Sequence, residues 1–303
     1  MRAAGPDPKK PDPQAHFWKC VEYPLSMSPK IDGIRGCSHD GVVTSRSGEL
    51  LPSRQVQEEL SCLEWVDCEI AEGNPTDFGV YNRTQSHVMS VDKPGNLTYH
   101  IFDYIHPDWL QAPYYERLER AKIAVADICD AAGENDTYRF VEHEEVDSRE
   151  ELVAYEEARL AEGWEGVMGY NPVGQYKQGK STLTQGLAYK FKRFTDTESP
   201  IVGFEERMTN TNVQTRSQLG YAKRSQSREG LVPAGTVGVF LVDYNGVIVR
   251  VSPGTFTAKE LQEIWDHREQ YLGRLLKWRF FGHGIKVLPR FGQAEGFRSE
   301  IDL

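Results

Sequence analysis

The stretch Ser28-Pro-Lys-Ile-Asp-Gly-Ile-Arg-Gly36 sets Lys30 two residues before Asp32 and five before Arg35. A protonated lysine is a poor nucleophile with an ordinary pKa of about 10.4, so a reactive one needs cations, a metal ion or burial to shed its proton. Such a Lys/Asp pattern also occurs on plain surfaces, and its context decides between the two. In "GLAYKFKRF", Lys190 and Lys192 stand two apart in a β-rich run and project from one face. Two ammonium groups so placed repel unless an anion sits between them. A nucleotide phosphate would meet that need, and the pairing would also neutralise the charge that develops at phosphorus during transfer. A strand edge guarded by lysines is the plainer reading. Glu69 in "VDCEI" and Glu165 in "GWEGVMGY" each sit in a short apolar strand, where an unpaired carboxylate is costly to bury. A hard cation such as Mg²⁺ would relieve both, and salt bridges to Arg are the structural alternative. Phe102 in "TYHIFDYI" reads either as core or as a stacking surface for a base.

The elements that must carry these residues are short. "GVVTSR", "WVDCEIA", "TYHIFDYI", "EGVMGY" and "LAYKFKRF" read as strands bounded by Gly, Asn or Pro. "PYYERLERAKIAVADICDAA" spaces Leu118, Ala121, Val125 and Ile128 by threes and fours, as one buried helical face requires. "SREELVAYEEARLAEG" opens with a capping box, Ser148 with Glu151, and ends at Gly163. Beyond "FKRFTDTESP" the pattern becomes strand-rich, with Asn245-Gly246 as a two-residue hairpin turn and a helix capped by Thr257 and Glu260. About a hundred residues of strands around one helix suit a small barrel of the oligonucleotide-binding (OB) type or an SH3-like one. The domain boundary is expected near Ser199.

The 303 residues, 39% hydrophobic and 26% charged, suffice for one large or two modest domains. The five cysteines are odd in number and form no CxxC pair, which argues for reduced thiols and against both a disulfide framework and a zinc ribbon. The glycosylation triplets at Asn82, Asn96 and Asn135 carry no weight in such a chain. The eight histidines lack ligand spacing, and "DFG" at Asp77 stands without any other kinase element. The first residues read as a Pro-rich leader without the apolar core of a signal peptide, and no run is long enough to cross a membrane. A net charge of −10 argues against nucleic acid until its distribution is considered. From Pro200 onward there are 14 Lys and Arg against 11 Asp and Glu, which leaves a net −13 for everything before. Much of that acid lies in one segment, "EHEEVDSREELVAYEEARLAEGWE", which reads as a solvated helix face.

Taken in order, these pieces resemble the ATP-dependent DNA ligases of the covalent nucleotidyltransferase superfamily, especially the compact two-domain viral and phage type. Lys30, Asp32, Gly33 and Arg35 match the family's KxDGxR motif, and "TSRSGE" with Arg46 is similar to the motif that follows it. Glu69 falls in the "DGE" motif, Phe102-Asp103 in the motif of the adenine-stacking aromatic, Glu165 in "EGV", and Lys190 with Lys192 in "KxK". "LPRFGQAEGFRSEID" is similar to the C-terminal motif, with Arg298 as its arginine. The likeness runs from Tyr23 onward. Cys68 stands where the family usually has Gly, "GKS" with Lys180 replaces "GRS", and "EGVMGY" lacks the basic residue after its apolar pair. None of these departures removes a catalytic side chain. The zinc module and C-terminal extensions of NAD-dependent relatives are missing, so ATP is the expected cofactor.

The resemblance implies an α+β protein: an ATP-grasp-like nucleotidyltransferase domain of antiparallel sheets with helices over 15–198, after a flexible leader over 1–14, then an all-β OB-fold domain over 199–303. It implies that Lys30 carries AMP, with Asp32, Arg35, Lys190 and Lys192 as its catalytic partners. Ser28, Pro29, Ile31, Arg46, Glu69, Phe102, Glu165 and Arg298 would complete the nucleotide site, and Glu69 and Glu165 would hold Mg²⁺, or Mn²⁺ in its place. The expected partner is nicked double-stranded DNA, met by Arg207, Arg216, Lys223, Arg224 and Arg228 in a polar loop suited to phosphate contacts without base reading. The enzyme would act as a monomer in DNA replication, repair or recombination, in the cytoplasm, or the host cytoplasm if viral. The rival readings are an RNA ligase, an mRNA capping guanylyltransferase, and a non-catalytic OB-domain nucleic-acid binder.

Overall fold

The short apolar runs become strands because each alternates a face that can be buried with one that cannot. The computed structural model describes residues 1–7, 10, 12–77, 79–132, 136–217, 220–282 and 289–298. Phe78 of "DFG", Asn135, and Leu288 with residues 299–302 of the C-terminal motif lie outside them. The chain divides into two units, Met1–Lys192 and Arg193–Leu303.

The first unit holds two sheets. One is antiparallel and runs in the order β7 (Glu144–Val146), β1 (Leu25–Pro29), β8 (Val167–Tyr170), β9 (Ala188–Phe191). The other runs β3 (Val42–Ser45), β2 (Ile34–His39), β4 (Val66–Glu72), β5 (Leu97–Tyr104), β6 (Tyr138–Phe140), and only its last pair is parallel. Helices α1 (Pro13–Cys20) and α5 (Arg149–Ala161) contribute Phe17 and Leu152 to the core formed with Leu25, Met27, Val167 and Phe191 of the first sheet. Helices α2 (Arg54–Leu60) and α4 (Tyr114–Ala132) contribute Val56, Leu60, Ala121 and Val125 to the core under Cys68, Ile70, Tyr99 and Ile101 of the second. Cys68 therefore packs as a small hydrophobe, and the Gly it replaces in the family motif is not required for space. Alternation then turns Ser28 in the first sheet, and Arg35, Asp67 and Glu69 in the second, to the faces away from these cores. The α3 helix (Val80–Val88) rests on β4 with Val80 buried beside Ala71 and Phe102. The cap of α5 differs slightly from the expected box: Ser148 accepts from the Glu151 N–H at 3.2 Å, but the Glu151 carboxylate takes the N–H of Asp147, one residue further out. No helix among the described residues is long and apolar enough to cross a membrane.

Part of the segment expected to be a loose leader is instead structured. Ala4 is buried, and residues 2 and 4 bridge in parallel to Lys180 and Tyr189. The small side chain of Ala4 lets the backbone lie close against β9 and satisfy its edge.

The second unit is a five-stranded barrel in the order β14 (Val247–Val251), β13 (Leu231–Tyr244), β10 (Phe194–Asn210), β15 (Leu275–Phe281), β16 (Arg290–Phe297). A bridge from Ser252 to Gln293 joins its two ends. Helix α6 (Ala258–Asp266), whose capping box from Thr257 to Glu260 is complete, lies between the third and fourth strands, with the short α7 (Arg268–Tyr271) after it. That strand order and helix position are those of an OB fold, which decides against the SH3-like alternative. Asn245 and Gly246 both have positive φ, as the tight turn between β13 and β14 demands. Ser199 lies inside β10, where Pro200 ends the ladder to β15 before the strand passes over to β13. The Pro and polar residues that look like a linker mark this handover, because a ladder end tolerates a missing N–H.

Candidate active site

Lys30 follows β1 directly, and its backbone N–H donates to the Gly166 carbonyl at 2.9 Å. Because β1 pairs with β8, this brings Lys30 beside Glu165 across 135 residues of sequence. Gly166 has φ +151°, and a Cβ there would lie 2.3 Å from the Phe191 carbonyl oxygen. Glycine is thus what lets β8 approach β9 and puts Lys192, just after β9, within reach of Glu165. Both Lys30 and Lys192 donate from Nζ to Glu165, one to each carboxylate oxygen.

Burial works to lower the Lys30 pKa, but Glu165 and Glu69 outweigh it and hold the ammonium above the ordinary lysine range. Burial alone would raise Glu165, yet Lys30 and Lys192 hold its carboxyl down at about 2. Lys192 is lowered to about 8 by burial and then by Lys30. Lys190 is exposed as a whole; its pKa is also lowered, first by desolvation of the part the protein surrounds, then by Lys30 and Lys180. Three lysines thus crowd about the Glu165 carboxylate, an arrangement that favours a further anion.

Arg35 on β2 sits opposite Glu69 on β4. Its Nε donates to Asp67 Oδ1 at 2.6 Å, its Nη2 donates to Asp67 Oδ2, and its Nη1 reaches the Met1 carbonyl at 2.6 Å. The guanidinium lies 5.1 Å from the centre of the Phe102 ring, so Phe102 presents one face to a cation while its remaining surface packs with Ile31, Val80, Val141 and Trp164. Glu69 is pushed up to about 7 by burial, which Lys30 and Arg35 only partly offset. Asp32 and Ser28 are buried beside the lysine, and Pro29 and Ile31 line a cavity of about 320 Å³ with His100, His143 and Trp164. Arg46 is exposed at the end of β3, with its charge in reach of Lys190.

Glu69 and Glu165 are the carboxylates on hand for a divalent cation. Among the described residues no group of three or more His, Cys, Asp or Glu is arranged to hold a metal unaided. Two carboxylates fit Mg²⁺ when phosphate oxygens and water complete the shell.

The structure thus brings together Ser28, Lys30, Asp32, Arg35, Glu69, Phe102, Glu165, Lys190 and Lys192 within the first unit. Arg298 belongs to the second unit, where it bonds Glu198 at 3.0 Å. The residues expected at DNA border one hairpin, β11 (Gln214–Arg216) with β12 (Ala222–Arg224), rather than a plain loop. Arg216 bonds the Gly220 carbonyl and Arg224 the Asn212 carbonyl, so both support the hairpin itself, whereas Arg207 and Arg228 are exposed beside it. Sequence reasoning missed Asp67, although its place two residues before Glu69 on one strand puts both on the same face. It also missed Arg117, wholly buried on α4 and paired with Asp103 at 2.8 Å beside Phe102.

Among solved structures the chain is similar to Chlorella virus DNA ligase-adenylate, with 25% identity, 98% of each chain covered and a TM-score of 0.54. A second structure of that ligase-adenylate shares 29% identity over 93% of this chain and 94% of its own, with a TM-score of 0.51. A Lig E DNA ligase shares the fold, at 20% identity over 90% and 92% of the two chains and a TM-score of 0.64. No protein-family model and no curated protein matches the chain. In fold, a mixed α+β unit followed by an OB unit, and in the order of its motifs the chain is similar to the compact DNA ligases. Within that class the likeness to the viral ligase-adenylate spans nearly the whole chain.

Proposed function

We propose that the protein is an ATP-dependent DNA ligase that seals nicks in duplex DNA through a Lys30-AMP intermediate. The observation that carries this reading is the convergence of Lys30 and Lys192 on Glu165, with Lys190 near enough to feel the charges of both Lys30 and Glu165. Such a cluster favours a polyphosphate, and the family resemblance would give Phe102 the base once Arg35, which covers its ring face here, moves aside.

In the resting arrangement Lys30 is held as an ammonium by Glu165. Entry of a nucleotide would give Lys192 and Lys190 phosphate oxygens to bond, and Lys30 would pass its proton to solvent water and attack the α-phosphorus. The new N–P bond forms as the P–O bond to the β-phosphate breaks, and pyrophosphate leaves with the electron pair. AMP would then pass to the 5′-phosphate at the nick, freeing Lys30. Finally the 3′-hydroxyl would attack that phosphorus and expel AMP. Arg35, fixed by Asp67, would contact ribose or the nick, and Arg298 would serve only while pyrophosphate is present, so its unit would have to move between steps. Mg²⁺ held by Glu69 and Glu165 would supply charge neutralisation at the phosphates. The hairpin's Arg and Lys residues suit contacts to the DNA backbone.

Incubation with ATP and Mg²⁺ should add one adenylate to the intact mass. Lys30→Ala should abolish that gain and the sealing of nicked DNA. An adduct formed with GTP alone would mark a capping guanylyltransferase instead, sealing confined to nicked RNA would mark an RNA ligase, and no adduct at all would leave the non-catalytic binder.

A further inference from the structure

We infer that residues 1–5 form a positioning strand for Lys190, with Gly5 setting where its ammonium stands; this rests on the proposed role of Lys190 in nucleotidyl transfer. The segment is laced to two stretches at once. Arg2 N–H donates to Gly179 O at 2.7 Å and Ser181 N–H donates to Arg2 O at 2.7 Å, while Ala4 N–H donates to Ala188 O at 2.8 Å and Lys190 N–H donates to Ala4 O at 2.9 Å. The strand therefore fixes the backbone of Lys190 and of the "GKS" segment together.

Gly5 comes next, and the stem of Lys190 passes against it. A Cβ built at Gly5 would lie 2.9 Å from Lys190 Cε and 3.4 Å from its Cγ. Gly5 is not among the residues of positive φ, so its backbone makes no demand for glycine. The demand is for space along the lysine stem. Lys190 feels the repulsion of Lys30, Lys180 and Arg46 against the attraction of Glu165 alone, a balance that would push an unrestrained lysine outward into solvent. The wall formed by residues 4 and 5 holds the stem against that repulsion. The clashing atom belongs to the far end of a flexible side chain, so an added methyl displaces the ammonium and leaves the fold nearly untouched.

Gly5→Ala should slow single-turnover formation of the Lys30 adenylate by roughly 10- to 100-fold, since a misplacement near 1 Å costs up to about a hundredfold. Its melting temperature should stay close to the parent's, and in a Lys190→Ala background it should cause no further loss, because the two changes act through one group. A purely structural role would make the two losses multiply. If Lys190→Ala is slow but Gly5→Ala adenylates at the parental rate, or if the losses multiply, the strand does not position Lys190. If Lys190→Ala itself adenylates at the parental rate, the role assigned to Lys190 fails, and the inference with it.

Discussion

Glu165 decides the resting state of Lys30, since it is the counter-ion of two lysines and the larger reason the nucleophile stays charged. Replacing it separates two effects. In Glu165→Gln the largest part of the field that raises the Lys30 pKa is gone and that of Glu69 remains, so burial and the nearby cations draw it down. The rate of adenylate formation should then fall in absolute terms, through loss of a cation ligand, while its rise with pH begins at lower pH than in the parent. Single-turnover rates across the pH range would check this, and an unmoved profile would count against Glu165 as the group that holds the proton on Lys30. Arg35 is set the same way by Asp67, whose buried carboxylate takes two of its three kinds of nitrogen. An arginine so fixed offers its remaining surface in one orientation, which suits recognition more than bulk attraction.

At the scale of elements, the glycine of the lysine motif is a packing requirement. A Cβ at Gly33 would lie 2.1 Å from the Ile70 carbonyl oxygen on β4, an atom held in a sheet. Unlike the contact at Gly5, this one has no flexible side chain to absorb it. Gly33→Ala should therefore destabilise the first unit by about 2–4 kcal/mol, read as a lowered melting temperature or denaturant midpoint. A variant as stable as the parent would show that the entry to β2 can move away from β4. Arg117 ties a second set of elements together: from α4 it bonds Asp103 of β5 and the carbonyls of Ala112 and Gly174. The backbone that bears Phe102 is thereby fixed from behind, and the Tyr114 hydroxyl, donating to the Phe102 carbonyl at 2.8 Å, adds to it.

Across the whole molecule the distribution of charge matters more than its sum. A net of −10 would repel DNA if spread evenly, but the region from Pro200 onward is net positive and carries the hairpin with Arg207 and Arg228 exposed beside it. Each phosphate contact contributes about 0.9 to the slope of log affinity against log salt. Replacing Arg207 and Arg228 together by Ala should lower the magnitude of that slope by about 1.8 for nicked duplex. Their loss should not open the hairpin, because Arg216 and Arg224 are the arginines that bond its carbonyls. A slope equal to the parent's would mean that the hairpin does not face the phosphates.

The sequence by itself determined what depends on neighbours a few residues apart. Strands followed from alternation, α4 and α5 from apolar spacing and the Ser148 cap, the β13–β14 turn from Asn245-Gly246, and the reactive residues from their order along the chain. Tertiary structure alone decided which of those residues meet. That Glu165 serves Lys30 and Lys192 together follows from β1, β8 and β9 lying side by side, with Gly166 permitting the approach. It also decided that Asp67 holds Arg35, that the barrel closes from Ser252 to Gln293, and that residues 2 and 4 bridge to Lys180 and Tyr189. Local patterns encode a residue's own backbone and the face it shows, whereas the partner on that face is fixed only when distant strands pack, here across 135 residues for Lys30 and Glu165.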